Sequence, residues 1–235
     1  MGSVFRFKQF EVDQADCAMK INTDGVLMGA KAWHKEPKSI LDIGTGTGVI
    51  SLMLAQRFPA AVLHAVEVDE PACLRAQANF INSPFADRLQ AYHCSFEQLN
   101  TGVLYDLIVS NPPFYTRSLH NPDPRKQLAK HTDMEFFTKL LYFAVHNLNT
   151  YGSLHLIIPP TLADELVEHG QKIGLFLAAV MAIKSFNDSE VFRKLIVLNR
   201  EASTQVQQEE LVIYQEKGRY TDAYKSLLHP FFLAF

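Results

Sequence analysis

"LDIGTGTGVIS", residues 41–51, is an apolar run that ends in three alternating glycines, Gly44, Gly46 and Gly48, and passes directly into an amphipathic helical pattern. Glycines so placed permit a tight turn with positive φ and let a ligand approach the backbone at a helix N-terminus. The spacing differs from the dinucleotide loop G-x-G-x-x-G, which from Gly44 requires glycine where Val49 stands. Asp42 closes the apolar run, and the next run, "AVEVD" (65–69), carries Glu67 about 20 residues beyond the loop, where an acid accepts both hydrogen bonds of a ribose diol. A ligand with a ribose is expected there.

Outward from the loop, short apolar runs alternate with helical patterns: SILDI (39–43), VISLMLAQRF (49–58), VLHAVEV (62–68), EPACLRAQANFIN (70–82), LQAYHC (89–94), YDLIVS (105–110) and SLHLIIP (153–159). Runs apolar on both faces, separated by helices, predict a parallel sheet covered on both sides. Beyond a helix at 162–170, LFLAAVMAI (175–183) and EVFRKLIVLNR (190–200) flank the turn-like FNDS and predict an antiparallel pair at one sheet edge. The polar ASTQVQQEE (202–210) reads as a surface loop before the short strand LVIYQ.

At 235 residues, 48% hydrophobic and 20% charged, the chain fits one α/β domain with a sizeable core. The expected division is a doubly wound core at 39–235, with residues 1–38 as an extension packed on the ligand site. A net charge of −3 argues against a surface coated in positive potential but leaves room for a local basic patch. Cys17, Cys73 and Cys94 are widely spaced and form no CxxC pair, so neither a disulfide framework nor a metal site is expected. With no apolar stretch of about 18 residues, a soluble cytoplasmic protein without membrane contact is expected, as a monomer or weak homodimer.

Strand, glycine loop, helix, strand and acid together resemble the S-adenosylmethionine site of Rossmann-like class I methyltransferases. The resemblance implies a doubly wound, mostly parallel seven-stranded sheet with an antiparallel edge strand. It also implies that Asp42 and the backbone of Gly44, Thr45, Gly46 and Gly48 hold the methionine end, and that Glu67, with Val68 beside it, holds the ribose. In place of the acid often found after the third strand, this chain has AYHCSFEQL, so Ser95 or the Phe96 backbone is expected to meet the cofactor's adenine.

"SNPPFY" (110–115) ends the fourth strand beside that site. A residue before proline is driven towards extended backbone, so Asn111, Pro112 and Pro113 form a stiff group. It offers two acceptors, the Asn111 side-chain oxygen and the Pro112 carbonyl, which suit the two hydrogens of an NH₂ group. Phe114 or Tyr115 supplies a face on which a planar base stacks. The motif resembles that of amino-group methyltransferases acting on adenine N6, guanine N2, cytosine N4 or protein glutamine.

Residues 116–131 form the next segment, read as a long loop before a helix beginning near Met134. It sets Arg117, Arg125, Lys126 and Lys130 against Asp123 alone, a composition suited to phosphate contact. The start FEVDQADCAMKINTDGVLMGAKA, with Lys20, Thr23 and Asp24, the GTGTG loop, NPPFY, the AKHT stretch with His131, and the ending YTDAYKSLLHPFFLAF resemble the bacterial tRNA adenine-N6 methyltransferases that modify adenine 37 of a valine tRNA. The resemblance spans nearly the whole chain and implies a tRNA anticodon stem-loop as partner. Thr23-Asp24 also suits a helix N-cap, and the aromatics Phe231, Phe232 and Phe235 read as a tail docked on the core. A protein glutamine methyltransferase is disfavoured because only 41 residues precede Asp42, too few for a helical substrate domain. A ribosomal guanine-N2 methyltransferase is disfavoured because Tyr115, not histidine, follows NPPF, and a non-catalytic binding subunit because Asp42, Glu67 and Asn111 are intact.

Overall fold

A computed structural model describes residues 4–15, 17, 19–112 and 124–235, with side chains from 134 onward in the last range. Pro113, Phe114, Tyr115 and Arg117 lie outside the described residues, as do the side chains of Arg125, Lys126, Lys130 and His131.

In chain order the elements are β1 (Val4–Arg6), β2 (Glu11–Asp13), α1 (Thr23–Lys31), β3 (Ser39–Ile43), α2 (Val49–Arg57), β4 (Val62–Glu67), α3 (Glu70–Ile81), β5 (Leu89–His93) and β6 (Tyr105–Ser110). There follow α4 (Pro124–Asn147), β7 (Leu148–Ile158), α5 (Pro160–Lys172), β8 (Phe176–Lys184), β9 (Val191–Asn199), β10 (Gln207–Val212), β11 (Tyr214–Glu216), β12 (Arg219–Tyr220) and α6 (Asp222–Leu228).

Among the described residues the central sheet has eight strands in the order β10-β8-β9-β7-β6-β3-β4-β5. Successive strand residues point to opposite faces, so each strand feeds two cores. Ile40, Leu107, Val109 and Ile157 pack with α1, α2, α3 and α6. Leu41, Ile43, Ile108 and Leu156 pack with α4 and α5. The order reverses at β3, between β4 and β6, which opens a crevice at the carboxyl ends of these strands.

The doubly wound α/β class stands, with three differences in detail. The antiparallel strand is β9, inserted between β7 and β8 rather than lying at the edge. The edge is an eighth strand, β10, parallel to β8, and it takes in Gln207–Glu210 from the segment expected to be loop. Its polar residues are compatible with pairing because Gln207 to Glu210 are exposed on an edge, where charge guards against further strand addition. Glu209 and Glu210 also pair with Lys31 and Lys184. Finally, α4 begins at Pro124 rather than near Met134, so the backbone of Arg125, Lys126 and Lys130 is helical. Proline at a helix start is pre-set for helical φ, and the RKQLAK that follows is rich in helix formers.

The C-terminal tail is docked as expected. Phe231 is buried, Phe232 packs on Phe5 and Phe7, and Phe235 stacks on Phe232. Lys8 Nζ donates to the carbonyls of His229 and Phe235, tying the two termini together.

Candidate active site

The glycine loop is held from three sides. The Gly44 and Thr45 N–H groups both donate to the Val66 carbonyl on β4, at 2.9 and 3.2 Å. The Gly46 N–H donates to Glu67 Oε2 at 2.9 Å. From below, Asn79 Nδ2 donates to the Thr47 carbonyl and to the Asp13 carbonyl, both at 2.9 Å, so one buried amide joins the loop to the N-terminal segment. Gly44 and Gly46 have positive φ, and a Cβ on either would meet nothing within 4 Å, which leaves their surface open to a ligand. Gly48 serves a different purpose. A Cβ there would stand 2.5 Å from Phe80 Cε1, so its bareness lets α3 close on the turn.

The loop borders a cavity of about 440 Å³. Gly44 and Gly46, Glu67 and Val68, Phe96, and Asn111 with Pro112 all open onto it. Glu67 is half-buried and strongly organised. Besides Gly46, the Val68 and Asp69 N–H groups donate to its Oε1 at 2.9 and 3.0 Å. Oε2 therefore keeps a free lone pair for a ligand hydroxyl, whereas at Oε1 a ligand competes with backbone.

Asn111 extends from the end of β6, next to Ser110, whose Oγ donates to the Ile43 carbonyl at 2.8 Å and clamps β6 to β3 at the crevice. The first turn of α1 lies against it: a Cβ on Gly25 would sit 3.7 Å from Asn111 Nδ2. That turn is anchored by Arg193 on β9, which donates to Asp24 Oδ2 at 2.7 Å.

Asp42, Lys20, Thr23, Asp24 and Ser95, all expected at the ligand site, do not border the cavity. Asp42 is fully buried beneath the loop and does not border the cavity. Its Oδ2 accepts from Thr45 Oγ at 2.7 Å and Ser51 Oγ at 2.8 Å, so its contacts are with the loop rather than with anything in the cavity. Its Oδ1 is buried with no partner among the described residues. Burial pushes its carboxyl up to about 6, against the pull of the two hydroxyls. The N-cap of α1 is Asn22, whose Oδ1 accepts from the Gly25 N–H, and Thr23 and Asp24 form the first turn instead. Lys20 and Thr23 are exposed and do not line the cavity. Ser95 is engaged in a capping box with Gln98 and does not border the cavity, whereas its neighbours Cys94 and Phe96 do.

Several contributors have no motif. Cys17 and Met19 come from the N-terminal extension, Cys94 from the end of β5 and Phe136 from α4, and all four border the cavity. Only tertiary packing brings them there. Asn79 could have been noticed as a polar residue on the otherwise apolar inner face of α3. Among the described residues no helix is long and apolar enough to cross a membrane, and no cluster of three metal-ligating side chains occurs.

Residues 25–168, more than half the chain, match the family model "Methyltransferase small domain". Curated relatives match end to end. A Pedobacter heparinus protein named tRNA1(Val) (adenine(37)-N6)-methyltransferase is 48% identical over all of both chains. A Christiangramia forsetii protein of the same name is 42% identical over 97% of each. Among solved structures, a predicted O-methyltransferase from Agrobacterium tumefaciens superposes with a TM-score of 0.66 at 16% identity, covering 88% of this chain and 96% of that one, a likeness of fold.

Proposed function

The chain belongs to the methyltransferase small-domain family and, within it, to the tRNA1(Val) (adenine(37)-N6)-methyltransferases, and on that premise we propose that it methylates N6 of adenine 37 in a valine tRNA with S-adenosylmethionine as donor. One observation carries the reading at the level of residues: the acceptor pair Asn111 and Pro112 opens onto the same cavity as the glycine loop and Glu67.

The cavity fits such a donor. Gly44 and Gly46 leave bare backbone, Glu67 keeps an acceptor for a ribose hydroxyl, and Phe96 and Val68 offer apolar surface to an adenine ring. No side chain caps the N-terminus of α2, so its N–H groups are suited to a carboxylate. The bound donor supplies an electrophilic methyl group on a sulfonium. Asn111 Oδ1 and the Pro112 carbonyl accept the two N6 hydrogens, which turns the nitrogen lone pair towards that methyl for in-line attack. Such positioning contributes roughly 7–11 kcal/mol. No strong base is required, because the methylated nitrogen is acidic and sheds its proton. Phe114 or Tyr115 stacks on the adenine, worth about 1–3 kcal/mol, and the base must leave its stack to reach the cavity. Asp42 acts at one remove, by holding Thr45 and Ser51 and hence the loop. Arg117, Arg125, Lys126, Lys130 and His131 meet the RNA.

The test is methyl transfer from labelled donor into unmodified total tRNA, with ribosomal RNA and a release factor as parallel acceptors, followed by nucleoside analysis. N6-methyladenosine in tRNA alone is expected; label in guanine or in protein glutamine would move the enzyme to another acceptor. Asn111→Ala is expected to abolish transfer while leaving donor affinity within about threefold, a loss under about 1 kcal/mol. Neutralising Arg125 and Lys126 is expected to weaken tRNA binding and flatten its salt dependence.

A further inference from the structure

A second cavity, of about 900 Å³, lies on the face of the sheet that carries α1, α2 and α6, towards the amino ends of β7 and β8 and so away from the crevice at the carboxyl ends. Its floor is the sheet itself, where His155, Val197 and Ala179 pair across three strands. The helix ends at Ala30–Lys35 and Arg57 form the opposite wall.

The polar groups of this cavity are incompletely satisfied. His155 is only 3% exposed, and its Nε2 lies 3.0 Å from Ser153 Oγ, but its buried Nδ1 has no partner among the described residues. His34 Nε2 donates to the Tyr151 carbonyl at 3.1 Å, which makes Nδ1 of the neutral ring an acceptor, again buried and unpaired. Asn199 Oδ1 is a buried acceptor with no donor among the described residues. An unpaired buried polar atom costs about 1–3 kcal/mol, so three around one cavity point to a ligand bearing N–H or O–H groups. The mouth adds two flat faces, Trp33 at 62% and Tyr151 at 77% exposure, joined by the His34–Tyr151 hydrogen bond. Lys35 is an exposed cation on the same rim.

We propose that this cavity is a second ligand site that takes a nucleotide, its planar base stacked on Trp33 or Tyr151, its N–H groups donated to His34, His155 and Asn199, and its phosphate near Lys35. Rings stack on any base, and unpaired acceptors select those that present donors. The nucleotide is either a free one or one unit of an RNA strand, and the site owes nothing to the assignment of the catalytic cavity.

Trp33 is the chain's single tryptophan, so its fluorescence reports this site and no other. The full chain is titrated with the four ribonucleoside monophosphates and with a short single-stranded RNA, with and without saturating S-adenosylhomocysteine. Saturable quenching that S-adenosylhomocysteine leaves unchanged is expected. Quenching by a monophosphate identifies a free nucleotide, and quenching by RNA alone identifies a strand. Tyr151→Ala and Asn199→Ala are each expected to weaken binding about tenfold, within what one stacked base or one lost bond contributes. The exposed Tyr151 can be replaced without disturbing the core, so its variant remains a fair test. The proposal is overturned by the absence of saturable quenching with every probe, by its loss in S-adenosylhomocysteine, or by unchanged affinity in both variants. None of these results bears on methyl transfer to tRNA, so the two readings fail separately.

Discussion

The glycine loop and the second cavity each contain a buried titratable side chain with one atom satisfied and the other not, yet their surroundings are opposite. Asp42 is fully buried: Thr45 and Ser51 hold Oδ2, and the residue borders neither of the two cavities. His155 borders open space, with Ser153 on one nitrogen and no partner on the other. The first arrangement shapes backbone around a ligand that touches other groups. The second leaves the unsatisfied atom where a ligand can reach it. An orphaned polar atom therefore points to binding only when a cavity adjoins it.

Gly48→Ala should break the loop side most severely. Its φ of +83° strains any side chain, and the new Cβ would meet the Phe80 ring at 2.5 Å. A loss of roughly 3–5 kcal/mol is expected in denaturant unfolding, against near-neutrality for a substitution in open space.

The two buried groups should then respond to pH in opposite directions. The Asp42 carboxyl rises from 3.8 to about 6, through burial first and Glu67 as a lesser cause. Its folded state holds the proton more tightly than the unfolded chain, so the stability it contributes is present at low pH and is lost as pH rises through about 6. Relative to Asp42→Asn, the wild type should lose about 2 kcal/mol between pH 4 and pH 7. The His155 imidazole falls from 6.5 to about 3, through burial, then His34 and Arg57. Its cost appears as pH drops below the unfolded value, so relative to His155→Leu the wild type should lose about 2 kcal/mol between pH 7 and pH 5. Parallel pH series of unfolding midpoints check both. Slopes of the same sign would erase the contrast.

Tyr151→Ala carries the smallest effect, under about 0.5 kcal/mol in stability, because the side chain is largely solvated. Its methyl transfer to a free adenine-containing oligonucleotide should match wild type. Against full-length tRNA, a raised KM with unchanged kcat would show the second cavity gripping the same RNA.

Half of the sheet could be read directly from local pattern. From Ser39 to Ser110 each strand is a short apolar run between helical patterns, and strands, loop and acid fall where spacing places them. On the other half the same reasoning misplaced β9 and β10. The apolar pattern of VFRKLIVLN is the same whichever neighbours it pairs with, and QQEELV has too few apolar residues to announce a strand.

Glycine spacing, the acid after the loop and Asn-Pro-Pro were thus enough to mark the ligand loop and the amine-holding group, because backbone freedom and proline stiffness are properties of residues in sequence, while the reaction type came from the resemblance those motifs carry. Which groups face a cavity was decided by packing. Asp42 has the residue type of a ligand contact and is buried beneath the loop, held by Ser51 of α2, whereas His155 reads as an ordinary strand residue and borders a cavity walled by the ends of α1 and α2. Burial and hydrogen-bond satisfaction depend on what lies above a side chain, and those neighbours come from parts of the chain far apart in sequence.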